Sequence, residues 1–192
     1  MNQTLPLIED KNFTYEHLFD SPNNELLIQD FTIKNPAGKN LARFLKELAP
    51  RNEESNADRT YLVKDKFTGE IAGFFALRNG MFALDAGDGN IFTIPSVELS
   101  NFAVNDSYRK FHPDITKIGA TIFNKFILPL VKHIQILTGV QALYIYALPE
   151  DRLIDHYGSF GFIRLAKKDE QFVYDRVKPA YDEGCIFMYQ IL

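Results

Sequence analysis

The chain has 192 residues, of which 46% are hydrophobic and 24% are charged, values typical of a soluble globular protein. This length is enough for a full hydrophobic core, and we expect a single domain over residues 1–192. No apolar run is long enough to span a bilayer, and the N-terminus lacks the features of a signal peptide. The single cysteine, Cys185, excludes an internal disulfide. We therefore predict a cytoplasmic protein with no membrane partner.

The net charge of −4 at pH 7 limits the partners that the protein can bind. Phosphate contacts dominate affinity for nucleic acids, so an acidic chain is poorly suited to a polyanion. A local basic cluster of Arg109, Lys110 and Lys117 remains, and we interpret it as serving one cofactor. The four histidines show no metal-ligand spacing, so no metal site is predicted.

The first half of the chain contains a helix and a hairpin. Four apolar residues spaced by three or four positions predict a short helix over residues 40–48: Leu41, Phe44, Leu45 and Leu48. We expect Pro50 to end this helix and residues 51–58 to form a polar loop. Strands are predicted over residues 60–64 and 70–77, joined by a turn. Residues 79–90 read as irregular, with a turn near residues 86–90.

The second half contains a strand, a helix and a second strand. Residues 97–104 read as a buried strand, and residues 119–137 as an amphipathic helix with a bend or break expected at Pro129. Residues 140–147 read as a central strand covered on both faces. These three elements make one βαβ unit, whose strands should be parallel. Pro149 begins a further helix that runs to about Tyr157.

The start of the helix at Gly119 is a candidate phosphate site. A strand end, a small residue and the free N–H groups of a helix N-terminus together favour a phosphate or pyrophosphate. The sequence therefore indicates a cofactor that carries a nucleotide.

Several motifs, in order, resemble the GNAT N-acetyltransferase superfamily. They are the strand 97–104 with its helix, the segment Leu143-Tyr-Ile-Tyr-Ala147, and the segment Tyr157-Gly-Ser-Phe-Gly161-Phe162, which matches a "Y-x-x-x-G-F" ending. Upstream, Phe44-Leu45, Arg59-Thr60-Tyr61 and Ile71-Ala-Gly-Phe74 are similar to a branch that includes toxins acetylating aminoacyl-tRNA. The resemblance covers residues 30 to 165, and the last strand is expected at residues 185–192.

This resemblance implies an α/β fold of the GNAT type, with a mixed central sheet, splayed parallel strands and flanking helices. It also implies acetyl-CoA as cosubstrate. The backbone of Phe102, Ala103 and Val104 would pair with the pantetheine arm. The amides of Ile118, Gly119, Ala120 and Thr121 would hold the pyrophosphate, with Arg109 and Lys117 as further phosphate partners.

The cofactor loop departs from the pattern of the superfamily, which is R/Q-x-x-G-x-G/A. Here Tyr108-Arg109 begins the motif, but Gly119 follows ten positions after Arg109 instead of five. Either residues 110–114 are an insertion, or the arginine position has become Asp114 and the first glycine position has become Lys117.

Two side chains are candidates for catalysis. Tyr157 matches the motif tyrosine that protonates the leaving thiolate, and its alternative role is an aromatic of the core. Glu98 lies in the strand where many members place an acidic general base, and its alternative role is a cross-strand salt bridge.

The acceptor amine is left with competing interpretations. The acidic charge favours a small molecule or a peptide, whereas the upstream motifs favour aminoacyl-tRNA. A non-catalytic CoA-binding module is a third alternative. A homodimer and an antitoxin partner are both compatible with the sequence.

Overall fold

The computed structural model describes residue 8, residues 10–176 and residues 184–192. The N-terminal residues without signal-peptide features lie outside this part. The strands are β1 Phe13–His17, β2 Arg59–Asp65, β3 Ile71–Gly87, β4 Asn90–Val104, β5 Ala142–Ala147, β6 Ile163–Arg164 and β7 Ile186–Ile191. The α-helices are α1 Asn24–Leu27, α2 Lys39–Arg43, α3 Ala49–Glu54, α4 Asp106–Phe111, α5 Ile118–Ile122, α6 Leu128–Thr138, α7 Asp151–Ser159 and α8 Lys167–Tyr174.

The strands are hydrogen-bonded in the order β1-β2-β3-β4-β5-β7-β6. The chain divides into two compact units. Unit 1 comprises residues 1–78 and 100–130, and unit 2 comprises residues 79–99 and 131–192. β3 and β4 each contribute residues to both units. The single domain expected from the chain length stays a prediction.

Unit 1 is built on antiparallel strands. β1 pairs with β2, and β2 pairs with β3 from Arg59↔Leu77 to Lys64↔Ile71, which confirms the predicted hairpin. One hydrophobic cluster of this unit gathers ten buried residues from the strands, the first helices and the segments between them: Leu18, Ile28, Phe31, Phe44, Leu45, Ala49, Leu62, Ile71, Phe74 and Ala76.

The helix predicted over residues 40–48 is longer than expected. α2 continues through a π-helical turn, Phe44–Leu48, into α3, so Pro50 does not end it and residues 51–54 are helical. Pro50 lies in the first turn of α3, where its missing N–H costs nothing. The wider π turn also changes the buried face: Ala49 is buried while Leu48 is exposed.

Residues 79–90 are not irregular, as the sequence suggested. They belong to the end of β3 and the beginning of β4, and the chain reverses at Asp88 and Gly89, both of which have positive φ. The turn was therefore placed correctly, but the strands on either side of it were missed.

Unit 2 contains the predicted parallel pair. β4 and β5 are parallel, with Ser96, Val97 and Glu98 opposite Ala142, Leu143 and Tyr144. β7 pairs antiparallel with β5 and with the short β6, and it lies where the last strand was expected. The core of this unit comprises Phe82, Ile94, Ala142, Tyr144, Val173 and Phe187.

The predicted helix 119–137 is confirmed as a helical run from Ile118 to Thr138. A π-helical turn, Phe123–Ile127, separates α5 from α6, and the amide of Leu128 donates to the carbonyl of Phe123. This turn directly precedes Pro129, whose ring nitrogen has no proton to donate, so the irregularity falls where the proline predicted one. Among the described residues, no helix is long and apolar enough to cross a membrane.

Candidate functional site

The end of β4 is fixed by Asn105. Its side-chain nitrogen, Nδ2, donates to the carbonyl oxygen of Ile71 at 2.9 Å. Its side-chain oxygen accepts from the backbone amides of Thr32 and Ser107, each at 3.1 Å, and so caps α4. Because Asn105 directly follows Phe102, Ala103 and Val104, it holds the half-buried backbone that we expect to receive the pantetheine arm.

A glycine of β3 lets helix α5 approach the strands closely. A Cβ added at Gly73 would lie 2.5 Å from Cδ1 of Ile122 and 2.8 Å from the carbonyl oxygen of Ala103. A larger residue would therefore push α5 away from the end of β4. The resemblance motif Ile71-Ala-Gly-Phe74 thus contains a residue that positions the start of α5.

Gly119 lies in the first turn of α5, as predicted. Lys117 precedes the helix in the left-handed conformation, with φ of 55°. The first amides of a helix have no partner within it, so those of Ile118, Gly119 and Ala120 are suited to an anion. Thr121 is a correction to the prediction, because its amide already donates to the carbonyl of Lys117 at 2.9 Å.

The residues between the end of β4 and the start of α5 form helix α4 and a short segment after it. Arg109 therefore lies on α4, where its guanidinium pairs with Asp106 at 3.3 Å on an exposed surface. Such exposed pairs are weak, so Arg109 remains available for a phosphate.

Buried Tyr108 ties this loop to the turn between β2 and β3. Its hydroxyl donates to the carboxylate of Asp65, and burial together with that carboxylate raises the pKa of Tyr108. Burial alone would raise the pKa of Asp65, but the hydrogen bonds from Tyr108 and from the amides of Phe67 and Thr68 lower it. This contact was missed because Asp65 and Tyr108 are 43 positions apart in the sequence.

His112 is part of the same anchor. Its ring stacks on Tyr108 with centroids 4.2 Å apart, and its Nε2 lies 2.7 Å from a carboxylate oxygen of Glu70. The loop that leads to α5 is therefore held at two points of the β2–β3 turn.

In unit 2, Glu98 is buried, with 3% of its surface exposed. Its Oε2 accepts a hydrogen bond of 2.9 Å from the hydroxyl of Tyr144, the residue opposite it on β5. Gly80 leaves room for that hydroxyl, because a Cβ there would lie 2.3 Å from it. The carboxylate is thus oriented by a neighbouring strand, which suits either a general base or a purely structural contact.

Tyr157 lies on α7, and its motif has a structural explanation. The amide of Phe162 donates to the carbonyl of Tyr157, and the amide of Gly161 donates to the carbonyl of Gly158. Gly161 has φ of 91°. These contacts are a Schellman cap. The rings of Tyr157 and Phe162 pack against each other with centroids 5.7 Å apart, so the motif ends the helix whatever the tyrosine does chemically.

A role for Tyr157 as a proton donor depends on whether its hydroxyl is protonated and free to donate. Burial raises the pKa of Tyr157 to about 12, so the phenol keeps its proton at neutral pH. Within the part of the chain that the structure describes, this hydroxyl has no hydrogen-bond partner, whereas the hydroxyls of Tyr108 and Tyr174 are bonded. Tyr157 therefore presents a protonated phenol that the fold does not use.

The predicted site residues fall into two groups. The residues expected to bind the cofactor all belong to unit 1, and Glu98 and Tyr157 both belong to unit 2. Among the described residues, no group of histidine, cysteine, aspartate and glutamate side chains could hold a metal ion.

Comparison with solved structures shows the same fold in the toxin AtaT and in KacT. A tyrosine-to-phenylalanine mutant of AtaT, bound to the C-terminus of the antitoxin AtaR and to acetyl-CoA, is 19% identical over 94% of this chain and 93% of its own, with a TM-score of 0.65. A tyrosine-to-phenylalanine mutant of KacT is 18% identical over 94% of this chain and 95% of its own, with a TM-score of 0.67. AtaT complexed with acetyl-methionyl-tRNAfMet is 19% identical over 94% of this chain and 95% of its own, with a TM-score of 0.66.

No protein-family model and no curated protein matches the chain. The similarity in structure nevertheless extends over nearly the whole chain. It confirms the predicted α/β fold of the GNAT type, in the form found in AtaT and KacT.

Proposed function

We propose that this chain is an acetyl-CoA-dependent N-acetyltransferase. The observation that carries the proposal is the start of α5, where Gly119 and three amides without helical partners follow the end of β4. A toxin with the same fold has been solved with acetyl-CoA bound. The pyrophosphate would be held by the amides of Ile118, Gly119 and Ala120, with Lys117 and Arg109 supplying positive charge.

Acetyl transfer to an amine has three requirements: removal of a proton from the amine, stabilisation of the tetrahedral oxyanion and protonation of the departing thiolate. Tyr157 meets the last requirement in this proposal, because its phenol stays protonated at neutral pH. Cys185, which is buried directly before β7, has no role in this proposal. Acetyl-CoA supplies the activated acetyl group.

Glu98 is our proposed proton acceptor for the amine. We expect Glu98→Gln to lower the rate at neutral pH and to recover part of it at higher pH, where the amine loses its proton without help. The measurement is kcat/KM from pH 6 to pH 10. The control is Tyr189→Phe, because Tyr189 packs against the hydrophobic cluster that contains Tyr144, the partner of Glu98. A constant ratio of variant to wild-type rates across this range would assign Glu98 a structural role only.

The favoured acceptor is the α-amine of aminoacyl-tRNA. This was the alternative interpretation of the sequence, and its support is the similar structure of AtaT with acetyl-methionyl-tRNAfMet. The acidic net charge of the chain is also less unfavourable for binding RNA than the total suggests. Basic and acidic residues are equal in number in unit 1, so the whole net charge of −4 belongs to unit 2. A small amine is the second candidate, favoured by that acidic unit.

The test is a transfer assay with acetyl-CoA labelled in its acetyl group. We expect label to enter aminoacyl-tRNA and not deacylated tRNA, and to be released by mild base, because the product remains an ester of the tRNA. Polyamines and aminoglycosides serve as parallel acceptors. Label in these amines alone would establish the small-molecule alternative, and acetyl-CoA binding without any transfer would establish the non-catalytic module.

An antitoxin is the further partner that the comparison suggests, since AtaT was solved with the C-terminus of AtaR. We propose that a protein of this kind binds the present chain. Co-purification with the product of the adjacent gene would support this, and free enzyme with undiminished activity in the presence of that product would contradict it.

A further inference from the structure

Two segments of unit 1 are locked side by side. They are the turn of residues 65–70 and helix α4 with His112, which follows it. The Tyr108–Asp65 hydrogen bond and the 2.7 Å contact between His112 and Glu70 join them. Because the Tyr108–Asp65 contact is buried and the ring of His112 stacks on Tyr108, the two segments are held side by side.

Each segment exposes a phenylalanine beside its anchoring residue. Phe67 is 82% exposed and follows Asp65 by two positions, and Phe111 is 65% exposed and precedes His112. Neither ring contributes to the buried core. Exposed aromatic rings of this extent lose the stabilisation that burial would give them, on the order of 2 kcal/mol each. Two such rings on neighbouring segments therefore call for a function.

Lysines flank both rings. Lys66, Lys110 and Lys117 are exposed, and Nζ of Lys110 lies 5.2 Å from the ring centroid of Phe111. The acidic side chains of these segments are mostly engaged: Asp65 with Tyr108, Glu70 with His112 and Asp106 with Arg109. Asp114 is the acidic residue here for which no such contact is described. Each exposed ring thus has a lysine as its neighbour in the sequence, Lys66 before Phe67 and Lys110 before Phe111.

We propose that Lys66, Phe67, Lys110 and Phe111 form a binding surface for single-stranded RNA, here named the aromatic–lysine surface. The inference rests on the proposed function, since it gives the RNA substrate a place to bind outside the acetyl-transfer residues. An unpaired base can stack on an exposed phenylalanine while lysines contact the adjoining phosphates, and this combination needs no particular base. Paired bases have no free faces to stack, so a duplex would gain only the phosphate contacts.

The experiment measures fluorescence anisotropy with a labelled, unstructured RNA of about twelve nucleotides and with a duplex of the same length. Phe67→Ala combined with Phe111→Ala should weaken binding of the single strand by about tenfold or more, because each stacked base is lost. Lys66→Ala combined with Lys110→Ala should weaken binding and reduce the slope of log affinity against log salt by about 1.4. Phe92→Ala, which removes a 55% exposed ring of β4 in unit 2, should bind like wild type.

Three results would overturn the inference: wild-type affinity in the double phenylalanine variant, equal affinity for the duplex and the single strand, or phenylalanine-dependent binding to phosphatidylserine vesicles without binding to RNA. The last would assign the surface to an anionic membrane. Stabilisation by acetyl-CoA, measured on the same variants, separates this inference from the proposed function. RNA binding without any response to acetyl-CoA would keep the surface and remove the acetyltransferase.

Discussion

Replacing Tyr157 by phenylalanine should lower kcat by about 10²-fold, the usual effect of losing a positioned acid. The ring would remain and continue to pack on Phe162, and the Schellman cap uses only backbone groups. The fold and the affinity for acetyl-CoA should therefore be unchanged. The loss should appear in kcat and in kcat/KM equally, because the proton is needed as the thiolate departs in the transition state.

The pH dependence gives a second measurement. The pKa of Tyr157 is raised to about 12 by burial, so the phenol stays protonated throughout the range in which proteins are usually assayed. Wild-type kcat should therefore show no decline attributable to Tyr157 between pH 6 and pH 10. Tyr189→Phe removes a hydroxyl of unit 2 without touching α7 and is the matched control. Turnover of Tyr157→Phe at the wild-type rate would leave Tyr157 only its contact with Phe162.

The elements around the candidate site followed directly from local patterns. The apolar run at residues 140–147 and the stripe after Gly119 predicted β5 and the long helix, because burial on two faces and a helical period each leave a clear signature. The end of β3 was missed because Gly80 and Gly87 interrupt its apolar residues. The continuation past Pro50 was missed because a proline ends most helices but is tolerated in a first turn.

Much of the site depends on contacts between distant positions, and these leave no local signature. Asn105 accepts from Thr32, which is 73 positions away, and donates to Ile71, which is 34 positions away. Glu98 and Tyr144 are 46 positions apart. The residue types at these positions are ordinary, so their roles follow only from the pairing of the strands. Gly119, in contrast, could be selected from the sequence, because a small residue at the beginning of an amphipathic stripe is visible in the local sequence alone.

Gly119→Glu should abolish the stabilisation by acetyl-CoA. In wild type, binding to the folded state raises the free energy of unfolding by about 2.7 kcal/mol at a concentration of about a hundred times Kd. The glutamate would add bulk and a negative charge where the amides of Ile118, Gly119 and Ala120 are expected to meet the pyrophosphate. The measurement is the melting temperature across an acetyl-CoA titration.

The same substitution should leave the protein folded without the ligand. A carboxylate in the first turn of a helix interacts favourably with the helix dipole, and glutamate has a higher helix propensity than glycine. Asn124→Glu, at an exposed position further along the same helical run, is the matched control and should respond to acetyl-CoA like wild type. Gly119→Gln separates bulk from charge: a full response there would mean that the charge of the glutamate excludes the ligand. If wild type itself shows no shift across the titration, α5 does not bind this cofactor and the acetyltransferase proposal fails at its first step.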